Sequence, residues 1–347
     1  MKSLNIFIFL ALIMLFGCKS NNSNDPDMKT PQIQYELSGG AGHYDYAPSA
    51  IEDKYGIRYM FLCENRDPFK IVDYVYLYKG IPTKNGYVWQ PGTEIIAPSE
   101  SGWDNIHICD PDVRAFDFTY KGEQYHWIMT YLGVDQWDCK HNQIGLAYSK
   151  NIEGPYIKYD LNPLISYTDT TRWGVGQSTT IVLDSEHIQL FYTSSLRPGG
   201  GTCVRTIKMN CLDSIEIGEE RLVPFMKSNT YVACSKKNMY GTTEDPSGQP
   251  KVRDIPTWVV DAPRVAYRPL TSDLFSEKDE WIEIDRIRPE DTGFPRNHNA
   301  GILTDEKGYL KSDKELVVYF TVAVTGENWL WSYDLYSATY DIRDLEK

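Results

Sequence analysis

The sequence predicts an all-β fold, a five-bladed β-propeller of four-stranded antiparallel blades. Two observations lead there. Short aromatic and β-branched runs recur along the chain, among them Tyr59-Met60-Phe61-Leu62, Gln189-Leu190-Phe191-Tyr192 and Leu316-Val317-Val318-Tyr319-Phe320, and Gly, Asp and Asn punctuate them. The runs also fall into groups of the same internal order, opening at 47, 110, 177, about 230 and 298. A unit of four strands repeated at a near-constant period is the signature of radial stacking. No long amphipathic helical pattern competes with it.

Unit one runs through Ala47-Pro48-Ser49-Ala50-Ile51, a Lys54-Tyr55-Gly56 turn, Ile57 to Cys63, Tyr74 to Tyr78 and Thr93 to Pro98. Unit two has Asp110-Pro111-Asp112-Val113, a Lys121-Gly122-Glu123 turn, Tyr125 to Tyr131, Gln143 to Ser149 and Tyr156 to Ile165. Unit three takes Gln177 to Ile181, Ile188 to Thr193, Cys203 to Met209 and Glu219 to Pro224. Unit four is the least regular, with strands at Asn229 to Cys234, Pro263 to Tyr267 and Trp281 to Ile287. Unit five has His298 to Ile302, Leu316 to Val324 and Trp331 to Tyr340, and the chain then ends one strand short. The unassigned run Gln32 to Ser38 is expected to supply that strand and close the ring, because an open ring would leave sheet edges unpaired.

The N-terminus reads as an export signal. Lys2 precedes the apolar run Ile6 to Phe16, and Leu15-Phe16-Gly17-Cys18 ends it. That run is too short to span a bilayer. The small residue before Cys18 resembles a bacterial lipobox, which implies cleavage after residue 17 and a lipid on Cys18. Residues 18–31 are polar and read as a flexible tether, leaving 32–347 as the propeller domain. The expected location is the bacterial cell envelope, with the membrane touched only through the lipid. A net charge of −13 argues against nucleic acid as a partner. Of the seven Cys none forms a CxxC pair, so a zinc ribbon is not expected. Export permits disulfides, and their pairing stays open.

Several stretches resemble known proteins. Asn142-Gln143-Ile144-Gly145-Leu146-Ala147-Tyr148-Ser149, with Gly154-Pro155-Tyr156 and Asn162-Pro163-Leu164-Ile165 after it, is similar to a blade of the five-bladed glycosidases: glycoside hydrolase family 43 and its relatives, including family 117. Asp110-Pro111-Asp112-Val113 resembles the Asp-Pro opening of their inner strands. Gly174-Val175-Gly176-Gln177-Ser178 and Arg296-Asn297-His298-Asn299-Ala300-Gly301 resemble motifs of bacterial members. The resemblance implies a monomeric glycoside hydrolase acting on an oligo- or polysaccharide in its funnel, with inversion favoured. It requires no cofactor and leaves a channel cation such as Ca2+ open. A glycan-binding protein without catalysis is the alternative on the same fold. The usual three carboxylates do not transfer. Ala47 stands where family 43 places its base, Gln177 stands for the blade-three Asp, and Asn229-Thr230-Tyr231 stands where the acid Glu is usual. Asp261, near Pro263, looks like the acid motif but falls before a third strand.

Propeller geometry gathers the leading ends of the inner strands at one mouth. His43 and Asp45 belong there from blade one, with His107, Asp110 and Asp112 from blade two. Trp173 and Gln177 come from blade three, Asn229 from blade four, and Arg296 and His298 from blade five. Glycoside hydrolysis needs a proton donor for the leaving oxygen and a base for water or a nucleophile for the sugar. Asp45 is the expected base, Asp110 the group that orients substrate or tunes the acid, and His298 either the acid, a role the resemblance to family 117 implies for a His, or a ligand to a water or cation in the channel. His43, His107, Asp112, Gln177, Asn229 and Arg296 are expected to hold hydroxyls, while Trp173 and Trp103 offer stacking faces.

Overall fold

The computed structural model describes residues 30–347 apart from 41, 69, 196–199, 245–261, 271–279 and 324–332. The signal segment, Cys18, most of the tether and Asp261 lie outside the described residues. The first strand, β1 (Gln32–Ser38), is taken up last, because its partner comes from the other end of the chain.

Blade one is β2 (Tyr46–Glu52), β3 (Arg58–Asn65) and β4 (Asp73–Thr83), with β5 (Gly86–Trp89) and β6 (Thr93–Ile96) sharing the edge of β4. Blade two is β7 (His107–Tyr120), β8 (Glu123–Val134), β9 (Gln143–Ser149) and the short β10 (Ile157–Lys158). Blade three is β11 (Val175–Val182), β12 (His187–Ser194) and β13 (Gly201–Lys208), edged by β14 (Glu216–Ile217) and β15 (Arg221–Leu222). Blade four is β16 (Ser228–Cys234), β17 (Asn238–Glu244), β18 (Arg264–Pro269) and β19 (Ile282–Arg286). Blade five is β20 (Asn297–Thr304), β21 (Glu315–Ala323) and β22 (Tyr333–Asp341). β1 pairs antiparallel with β22, from Gln32 against Thr339 to Ser38 against Asp334, and so completes blade five as the sequence predicts. A short parallel pairing of β2 with β20 joins blades five and one along the axis.

Each sheet has two apolar faces and buries both on its neighbours, so the core is divided into five sectors. Phe61, Val75 and Leu77 of blade one meet Val113, Met129 and Tyr131 of blade two. Ile144 and Leu146 meet Ile188 and Leu190, Phe191 and Val204 meet Val232 and Met239, and Tyr240 and Val265 meet Ile302 and Val318. The fifth sector closes the circle, with Leu37 of β1, Met60 and Leu62 against Tyr319 and Leu335. The Cys63–Cys109 disulfide ties β3 to β7 and settles the pairing that the sequence leaves open, while Cys139, Cys203, Cys211 and Cys234 are not part of a disulfide.

One irregularity recurs in every blade. The register of the inner strand slips between Tyr46 and Ser49, Cys109 and Asp112, Gly176 and Thr179, Ser228 and Tyr231, and His298 and Gly301. At each slip one residue adopts left-handed φ: Ala47, Asp110, Gln177, Asn229 and Asn299, with φ from 42° to 54°. Asn and Asp tolerate that region, whereas Ala47 and Gln177 hold it at a cost. These bulges turn the five equivalent positions toward the axis.

Below that ring the channel is plugged. Arg114, fully buried, pairs with Asp112 at 2.8 Å and donates to the Thr180 carbonyl at 2.7 Å and the Tyr231 hydroxyl at 2.8 Å. Asp112 also accepts the Thr180 backbone N–H at 2.7 Å and the Thr180 hydroxyl. Blades two, three and four are thereby locked together by one ion pair whose spare polar atoms are bonded, the condition under which a buried pair is tolerated.

Candidate active site at the channel mouth

The ring and the residues following it line an axial well: Ala47 and Pro48, Asp110 and Pro111, Gln177 and Ser178, Asn229 to Tyr231, and Asn299 with Ala300. Its free space is about 40 Å³, room for a few waters and too little for a sugar ring.

Asp110 is the carboxyl on the well. Its backbone N–H is held by Cys63 Sγ at 3.0 Å, so the disulfide also fixes the bulge that aims it. Burial, with the charges of Asp73 and Glu244 behind it, pushes its pKa up to about 7. A carboxyl in that range can carry a proton at neutral pH.

On the blade-five side, His298 Nδ1 lies 2.9 Å from Glu244 Oε1 and 3.1 Å from Oε2. Glu244 stands at the end of β17 and is almost fully buried. It also accepts the Asn229 side-chain amide at 2.8 Å and the Asn299 backbone N–H at 2.7 Å. Although burial alone would raise its pKa, His298, Arg296 and the Asn229 bond hold it below the ordinary carboxylate value. The His298 pKa is also lowered, which for an imidazole favours the neutral form. Burial first, then the Arg296 charge, lowers its pKa, and Glu244 only partly offsets them. The result is a neutral imidazole whose Nδ1–H points at a carboxylate, leaving Nε2 as a basic nitrogen. Arg296 is buried and donates to the Tyr333 hydroxyl. Gln177 accepts the Asn229 backbone N–H at 3.0 Å and so ties blade three to blade four beneath the dyad.

The other predicted residues divide. His107 is buried and accepts the Asp73 backbone N–H at 3.2 Å, and Asp73 in turn accepts the Tyr44 hydroxyl at 2.5 Å. His43 is absent from the lining of the well, and its Nδ1 lies 3.1 Å from the Asn65 carbonyl. Trp173 is half-buried on the wall formed by Tyr46, Ala47, Leu132 and the disulfide.

Three expected site residues lie elsewhere. Asp45 is not at the mouth. Its side chain is fully buried between blades one and five, where it meets Glu64. Asp45 Oδ1 and Oδ2 and Glu64 Oε1 meet no donor, and burial pushes both pKa values up, so that the pair favours holding a proton. Fully buried and absent from the lining of the well, Asp45 is not placed to act as the base. Asp112 belongs to the channel plug and has no oxygen to offer a hydroxyl. Trp103 is partly buried and packs against Tyr131 on the blade one and two sector, away from the lining of the well.

A channel cation finds few ligands. Among the described residues, the well offers the Asp110 carboxyl, which is held toward its neutral form, and the Oδ1 atoms of Asn229 and Asn299, both buried without a donor. That falls short of the six to eight oxygens, several of them carboxylate, that Ca2+ takes.

No family model matches the chain, and no curated protein matches it. Solved structures do. Zg3597, a family 117 glycoside hydrolase produced by the marine bacterium Zobellia galactanivorans, matches with a TM-score of 0.59 at 12% identity, over 90% of this chain and 91% of that one. The chain has the fold of the five-bladed glycosidases. The catalytic domain of the Coprinopsis cinerea GH62 α-L-arabinofuranosidase matches with a TM-score of 0.57 at 10% identity, over 89% of this chain and 97% of that one. The GH43_1 enzyme from Xanthomonas citri, complexed with xylotriose, gives 0.57 at 11% identity, over 88% and 90%. At such identities the likeness carries the fold, and the chemistry must be argued from this chain's own side chains.

Glu244, Asp73 and Tyr333 are the residues that sequence reasoning does not reach. Glu244 sits on β17, a strand the sequence pattern does not single out, and Asp73 opens β4, far along the chain from the inner strands. Only their partners in space mark them.

Proposed function

We propose that this chain is an exported, lipid-anchored glycoside hydrolase that works at the mouth of its funnel, with Asp110 as general acid and the His298–Glu244 dyad as general base. One observation carries the reading: the Asp110 carboxyl on the well is pushed toward its protonated form, and the His298 imidazole, next in sequence to the well-lining Asn299, is pushed toward its neutral form. Groups whose pKa values are driven apart in this sense are the usual division of labour between acid and base. The Asp110 proton passes to the glycosidic oxygen as the C–O bond breaks. His298 Nε2 takes a proton from the water whose oxygen attacks the anomeric carbon, and the configuration inverts. Glu244 orients His298 and stabilises the imidazolium that forms. Arg296 secures Tyr333 and lowers the basicity of the resting histidine. The substrate is an oligo- or polysaccharide of the kind that the structural neighbours bind, xylotriose and cellotriose among them.

The roles differ from those expected from sequence, in which Asp45 is the base and His298 the acid. Asp45 is remote from the mouth, and His298 is neutral where an acid needs its proton.

Reducing-end release from plant, algal and host polysaccharides tests the proposal. Activity in the unaltered protein that is lost in both Asp110→Asn and His298→Ala, with melting unchanged, is the expected result. Full activity in either variant refutes the assignment. The Ala47 position, which carries no carboxylate, favours the second reading, a glycan-binding lipoprotein without catalysis; calorimetric sugar binding with no reducing-end release from any polysaccharide would select it.

A further inference from the structure

Among the described residues, Trp137 is 67% exposed, an unusual state for a large apolar ring. It lies in the loop between β8 and β9, at the same end of blade two as Asp110, because His107 at the start of β7 pairs with Val134 at the end of β8. The ring is not loose. It meets the His107 imidazole edge to face at 5.7 Å between centroids. His107, only 3% exposed, is itself fixed by Asp73, and Asp73 by Tyr44. Three buried polar residues thus hold one exposed indole in place beside the mouth. A solvated loop residue needs no such support, whereas a preorganised aromatic platform does. The axial well is too small for a sugar ring.

We propose that Trp137, backed by His107, Asp73 and Tyr44, forms a rim subsite that stacks on the apolar face of a sugar ring one or more units away from the bond cleaved. This rests on the carbohydrate reading above and extends it: the ligand is an oligosaccharide rather than a monosaccharide. The indole covers the C–H face of a pyranose or furanose, and the polar rim around it receives the hydroxyls.

Calorimetric titration with xylose, xylotriose, cellobiose and cellotriose, extended to oligosaccharides released from algal and host glycans, tests it. The unaltered protein is expected to bind trisaccharides more tightly than the monosaccharide. Trp137→Ala should weaken trisaccharide binding about tenfold and leave the monosaccharide and the melting temperature unchanged. Trp137→Phe should restore most of the loss, which a merely structural role would not require. Equal trisaccharide affinity in Trp137→Ala and the unaltered protein overturns the subsite alone. No binding of any sugar by the unaltered protein overturns the carbohydrate reading and the subsite with it.

Discussion

Replacing Glu64 by Gln should remove a penalty that the fold carries at neutral pH. Glu64 and Asp45 meet at the interface of blades one and five, and burial raises the Glu64 pKa from its ordinary 4.5 to about 7. A carboxyl with a raised folded pKa favours folding at low pH, where both states are protonated. Stability then falls as the pH climbs from about 4.5 to about 7, because the unfolded chain gives up the proton first. The difference corresponds to about 3 kcal/mol. Asp45, raised for the same reason, adds to it in the same sense. In Glu64→Gln the amide keeps the shape and can donate to Asp45, so the slope from Glu64 disappears. Urea unfolding at acidic, neutral and mildly alkaline pH reads the effect directly. The variant should gain on the unaltered protein by about 3 kcal/mol between the acidic and neutral measurements. Parallel stability curves across that range would show that Asp45 and Glu64 do not hold a buried proton.

Four other predictions follow from the geometry. Cys63→Ser with Cys109→Ser opens a cross-link spanning 46 residues, which should cost about 4 kcal/mol by the loop-entropy estimate; thermal melting of the double variant checks it. Asp112→Ala leaves the Arg114 charge buried and unpaired and should destabilise by about 3–5 kcal/mol, whereas Asp110→Asn should melt with the unaltered protein; calorimetry separates plug from site. If the proposed activity is found, its pH profile should be bell-shaped, with the acid limb set by His298 below the usual imidazole range and the alkaline limb by Asp110 near 7. Glu244→Gln removes the charge that supports the imidazolium, so kcat should fall about 100-fold and the acid limb should move to lower pH.

The sequence announces the ring well and the site poorly, for reasons visible in particular residues. The repeated openings at 47, 110 and 177 coincide with left-handed bulge positions, and those near 230 and 298 fall one residue from Asn229 and Asn299. Strand period and turn residues carry that information locally. Where a side chain points at the end of a strand is a different matter. One residue of register flips the face, and the bulge breaks the alternation just where Asp45 and Tyr46 must be told apart. Tyr46 turns toward Tyr44 and Tyr333 near the mouth, and Asp45 turns toward Glu64. Asp112 keeps the motif of an inner strand but lies two residues past the bulge, at the level of the plug. Glu244 was hidden because its strand, Asn238–Glu244, is wholly buried yet nearly devoid of aliphatic residues.

The clasp of β1 on β22 sets an order of events. Gln32 leaves the ribosome among the first residues of the domain and finds Thr339 only when almost all the rest has been made. Until then β22 presents a bare edge, the kind of edge on which chains stick to one another. Losing the seven residues from Gln32 to Ser38 should therefore unseat the last blade. Any pull on the N-terminus would act first on the stitch that keeps the circle shut.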